Sequence, residues 1–174
     1  MTLTPTILVY DRGQVQAVLA IASELHFPVC LRVPFTVAAG LGPAVARALV
    51  DGAFDARVGS AEPTATRKGA SVRQEMAWEL DCGDAAGLAL QALRLGVPRI
   101  RIDAGALMVG KLTDIASRRN AIVVSNDAGA AGQGEGLLDL CGCAEAGAVC
   151  RRWLDGMAGK YRGKDKGAAE HPVA

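Results

Sequence analysis

The stretch that decides the fold is "WELDCGDAAGLALQALRLGVPRIRID", from Trp78 to Asp103. An apolar run leads into Asp81-Cys82-Gly83-Asp84. A helix-like segment marked by Leu88, Gln91-Ala92 and Leu95 follows, and Gly96 ends it. A second apolar run, "PRIRI" (98–102), closes on another acid, Asp103. Strand, helix and strand in that order make a βαβ unit, since parallel strands need a crossover that a helix supplies.

The same alternation repeats on both sides. "TILVY" (6–10) is a short strand, and Val15, Val18, Leu19 and Ala22 form one face of an amphipathic helix. "VCLRV" (29–33) is a second strand, and "PAVARALV" (43–50) a helix with Pro43 in its first turn. The pattern dissolves from Gly52 to Arg73, which reads mostly as loop. It resumes with "MAWEL" (76–80) and, beyond the opening stretch, with a helix on Met108, Leu112, Ile115 and Ala116. "AIVVS" (121–125) is a further strand, and Leu137 to Leu154 a closing helix. Residues 1–154 therefore read as one α/β domain, and the small, polar, basic residues 155–174 as a disordered C-terminal tail. The domain is a parallel sheet of about five strands. A partial, half-TIM-barrel architecture is expected, with a flavodoxin-like open sheet as the alternative.

Composition agrees and narrows the function. Aromatics are only 4% of the chain, so the core is built from Ala, Val, Leu and Ile, which suits helices on a sheet. A net charge of +1 argues against nucleic-acid binding, which needs a clear excess of Lys and Arg. No apolar run approaches the roughly 20 residues that span a bilayer, and "MTLTPTILVY" carries no leader signature. A cytoplasmic location with reduced cysteines is expected. Cys141, Cys143 and Cys150 lack a nearby histidine to complete a zinc site and read as small buried hydrophobes.

In parallel sheets and barrels alike, ligands bind beyond the carboxyl ends of the strands. The residues leaving the strands are Asp11, Arg32, Asp81, Asp103 and Asp127. Clustered carboxylates there would divide into general acid and base or hold a divalent cation, the candidate cofactor. Arg32 would grip a carboxylate or phosphate. Helix capping competes for each acid, since Asp is a preferred N-cap. Asp84 is the better spaced cap and Asp11 a plausible one, which leaves Asp81 free to act. "NDAGAAGQGEGLL" (126–138) reads as a flexible loop, because its glycines do not reproduce a phosphate-binding motif. Cys82 as a nucleophile lacks a base, since His26 falls at the opposite edge of the sheet.

Two segments carry a family resemblance. "QVQAVLAIASELHFPVCLRV" (14–33) resembles the opening of class II fructose-bisphosphate aldolases and their tagatose-bisphosphate relatives. "ELDCGDAAGLALQALRLGVPRIRIDAG" (79–105) resembles the family's "HLDHG…MIDGS" segment. The resemblance implies that Asp81 stands where the family transfers a proton. It places Cys82 at a zinc-ligating histidine, hence as the candidate metal ligand, and Asp103 at the aspartate of the "MIDGS" strand end. The family's other zinc histidines and its phosphate loops belong to later strands that this sequence does not supply. The expectation is an aldolase-like domain binding a phosphorylated or carboxylated metabolite or a divalent ion, a lyase without a complete zinc site. The alternative is a non-catalytic regulatory or assembly module. A half-barrel would expose an apolar inner face and two strand edges, so a homodimer is expected.

Overall fold

The computed structural model describes residues 4–59, 76–125 and 136–164. Six strands, β1 (Thr6–Leu8), β2 (Val29–Val33), β3 (Met76–Asp81), β4 (Arg99–Ile102), β5 (Ile122–Ser125) and β6 (Leu137–Asp139), form one sheet. The helices are α1 (Arg12–Glu24), α2 (Phe35–Leu41), α3 (Pro43–Gly59), α4 (Ala86–Arg94), α5 (Ala106–Ser117) and α6 (Ala146–Lys164). The spatial order is β5-β4-β3-β2-β1-β6, with every pairing parallel. The first five strands thus lie in sequence order, the winding of a barrel rather than a flavodoxin-like sheet. The helices touch one another as α6–α1–α3–α4–α5, one continuous layer following the strands.

Residue parity divides the sheet into two different faces. Ile7, Leu31, Leu80, Ile100 and Ile102 are all at 0% exposure and pack with Val15, Val18, Leu19 and Ala22 of α1. Register places the alternate residues side by side on the other face. Leu8 pairs with Arg32, Arg32 with Glu79, and Arg99 with Ile122. One step up, Asp81 pairs with Arg101. The face without the main helix layer is therefore charged across its middle, where an apolar inner face was expected.

Three segments differ from expectation. Residues 137–139 form β6 rather than the start of the closing helix, because they pair with β1 over Thr6 to Leu8. Helix α3 runs on to Gly59, into the segment read as loop, with Ala53 and Phe54 buried under it. Helix α6 continues to Lys164, so the first part of the expected tail is helical. Among the described residues no single helix is long and apolar enough to cross a membrane. Helices α2 and α3 pass by length and composition only as a pair bent by 113°.

Candidate functional site

The charged face centres on Glu79. Its side chain is 2% exposed, and it accepts hydrogen bonds from two neighbouring strands. Arg32 Nε donates to Glu79 Oε1 at 2.6 Å, and Arg99 Nε donates to Oε2 at 3.0 Å. A buried carboxylate needs such partners, since an unpaired one costs several kcal/mol. Arg32 is thus engaged inside the sheet face rather than presented at the strand end.

Beyond this clamp lie Asp81 and Arg101. Asp81 Oδ1 accepts from the Gly83 N–H at 2.9 Å, an Asx turn that aims the carboxylate along the strand end. Gly83 has φ +53°, and a Cβ there would stand 3.0 Å from the Phe35 ring. This turn is built for glycine, and α2 holds it down. Arg101 is the register partner of Asp81; its carbonyl accepts from the Cys82 N–H at 2.9 Å, and its guanidinium makes no hydrogen bond or ion pair among the described residues. Asp103 is exposed, its N–H donates to Gly83 O at 2.6 Å, and parity puts it on the same face as Arg99 and Arg101.

The remaining sequence candidates lie elsewhere. Asp11 caps α1, its Oδ1 accepting from the Gln14 N–H at 2.8 Å. It borders a cleft of about 640 Å³ between the starts of α1 and α6, where Glu145 adds a second acid. Two carboxylates make that cleft a poor place for an anion. Asp84 does not cap: the N-cap position of α4 is Ala85, and no side chain hydrogen-bonds there. Asp127 falls outside the described residues. Cys82 has the opposite parity from Asp81 and is buried at 0% among core side chains. Burial, then the Asp81 charge, push its thiol up to about 12, so it stays protonated. A neutral thiol in the core is not a zinc ligand in this state. Among the described residues no group of three or more His, Cys, Asp or Glu side chains is arranged to hold a metal ion.

A second cluster stands at the carboxyl ends of β1 and β6. Tyr10 stands near Asp139 and Cys141, and burial, then the neighbouring Asp139 carboxylate, raises the pKa of its hydroxyl. Asp139 Oδ1 accepts from the Cys141 N–H at 2.8 Å. Glu79, Arg99, Arg101, Tyr10 and Asp139 were all missed by reading only the residues that follow each strand. The signal for Glu79, Arg99 and Arg101 is the alternation in "WELD" and "RIRID", where each polar residue falls two positions from the next; Tyr10 and Asp139 carried no such signal.

Comparison with protein-family models finds none that matches, and no curated protein matches. Among solved structures, a provisionally assigned fructose-1,6-biphosphate aldolase from Coccidioides immitis superposes with a TM-score of 0.49 at 14% identity. The alignment covers 70% of this chain and 40% of that one, so the chain spans well under half the length of that protein. This is a weak fold-level resemblance and nothing finer.

Proposed function

We propose that the protein binds a small phosphorylated or carboxylated metabolite on the charged face of its sheet, above the Glu79 clamp. The observation that carries this reading is Arg101, a guanidinium without a hydrogen-bonding partner among the described residues, directly beside Asp81. Arg101 grips the anion, for which its planar fork is suited. Arg32 and Arg99 add positive potential from below, although Glu79 absorbs part of it. Asp81, oriented by Gly83, is the group assigned to proton transfer, and Asp103 contacts the ligand from the end of β4. In this reading the protein works in the cytoplasm, and any lyase-like step runs through Asp81 rather than through Cys82.

The test is a thermal-unfolding screen with inorganic phosphate, a tricarboxylate and a ketose bisphosphate. A true ligand at a hundredfold excess over its Kd raises Tm by roughly 5–10 °C. The rise disappears in Arg101→Ala and shrinks in Asp81→Asn. An equal rise in Arg101→Ala, or no rise with any anion, contradicts the reading.

A second reading rests on the sheet edges. Ile122 on β5 is 57% exposed and Leu137 on β6 is 40% exposed, the apolar edge positions that a second copy would cover. A homodimer seated there dissociates on Ile122→Lys in sedimentation equilibrium. A wild-type monomer at micromolar concentration rules it out.

A further inference from the structure

Three of the five cysteines are core residues. Cys30, Cys82 and Cys150 are each at most 5% exposed. Cys141 and Cys143 are different: the first is exposed and the second half-buried. They lie in one turn, closed by the Cys143 N–H donating to Leu140 O at 3.0 Å. Gly142, between them, has φ +66°, the left-handed conformation that such a turn demands of its third residue. Cys141 and Cys143 are the second and fourth residues of that turn. Positions so related stand roughly 5–6 Å apart at Cα, inside the roughly 4.4–6.8 Å that a disulfide spans. The space beside the glycine is open, since a Cβ on Gly142 would meet no heavy atom within 4 Å.

The surroundings hold the backbone of Cys141 and leave its side of the turn exposed to reagent, with Cys143 half-buried behind it. Asp139 Oδ1 accepts from the Cys141 N–H at 2.8 Å. Cys143 lines the open cleft of about 640 Å³.

We propose that Cys141 and Cys143 are a redox-active pair that closes reversibly to a disulfide by exchange with low-molecular-weight disulfides. The Cys141 thiolate attacks one sulfur of the reagent disulfide, and a mixed disulfide forms as one small thiolate leaves. The Cys143 thiolate then attacks the Cys141 sulfur and expels the second small thiolate. Two thiols of the protein are oxidised, one reagent disulfide is reduced to two small thiols, and the two protons given up by the cysteines are taken up by the departing thiolates. The ring encloses a single residue, so little chain entropy is removed and the bond serves as a labile modification rather than a staple.

The experiment incubates the folded protein with glutathione disulfide, then denatures, alkylates and maps the peptides by mass spectrometry. Wild type is expected to show two fewer free thiols than the five in the chain and a Cys141–Cys143 link, with no lasting glutathione adduct. Cys143→Ser is expected to trap the adduct on Cys141 at about tenfold or greater yield than wild type, because no resolving thiol remains. A persistent Cys141 adduct of equal yield in both proteins overturns the proposal. So does a wild type that keeps all its thiols.

Discussion

Glu79 is held between Arg32 and Arg99 with its side chain 2% exposed, and substitution there has a definite sign. Glu79→Gln removes the charge that both guanidinium groups face and destabilises the fold by about 3–5 kcal/mol. A urea titration measures this. Replacing all three residues together with apolar side chains is expected to restore most of that loss. Asp11 gives a contrasting case. Asp11→Ala costs about 1 kcal/mol through the lost cap on α1 and leaves ligand-dependent shifts in Tm unchanged. A change in ligand response would instead return Asp11 to the binding site. At this scale the sequence was half legible. Strand ends single out Asp81 and Asp103 as candidates, but an acid after a strand looks the same whether it caps a helix or faces a ligand. The distinction lies in the backbone amides nearby, which composition does not encode. The period-two pattern of Glu79-x-Asp81 and Arg99-x-Arg101-x-Asp103 was available and is the better guide.

Among the elements, the turn after β3 is the most exacting. Gly83→Ala puts a side chain at φ +53° and a Cβ against the Phe35 ring, a cost of roughly 1–2 kcal/mol before repacking. Because the Asp81 carboxylate accepts from the Gly83 N–H, the same variant is expected to weaken anion-dependent stabilisation more than Asp11→Ala does. Parallel melting curves with and without ligand check this. Strands β2 to β5 and helix α1 were readable because apolar runs and 3.6-residue spacing are strong there: Val15, Val18, Leu19 and Ala22 are all buried as their spacing implies. Helix α4 turns slightly from its expected face, burying Ala89, Ala92 and Leu93. In an alanine- and leucine-rich helix several faces are apolar enough to serve, and tertiary contact chooses among them. Strand β6 was hidden for a different reason. Its three residues are too few for periodicity and become a strand only by pairing with β1.

For the whole molecule, sequential parallel winding with one helix layer produces two unlike sheet faces, one a dry aliphatic core and one charged. Buried thiols, Cys82 on the aliphatic face and Cys30 on the charged one, make stability depend on alkaline pH. Cys30 and Cys82 have thiols pushed up to about 12, mainly by burial. The folded state then keeps protons that the unfolded chain releases, so their contribution is complete below about pH 9 and is lost as pH rises toward 12. The unfolding free energy is expected to fall by about 1.4 kcal/mol per pH unit for each such thiol in that window. Cys82→Ala, compared with wild type by urea titration at pH 8 and pH 10, should flatten the slope by one thiol's share. The proposed site rests on the Arg101 guanidinium having no partner among the described residues where Arg32 is tied to Glu79, and phenylglyoxal labelling of the folded protein, read residue by residue in a mass spectrometer, tests that directly. Arg101 is predicted to react several-fold faster than Arg32, whose side chain is 15% exposed beneath Glu79. Added phosphate or tricarboxylate is predicted to slow Arg101 alone. An inert Arg101 beside a reactive Arg32, or labelling indifferent to every anion, would contradict the account.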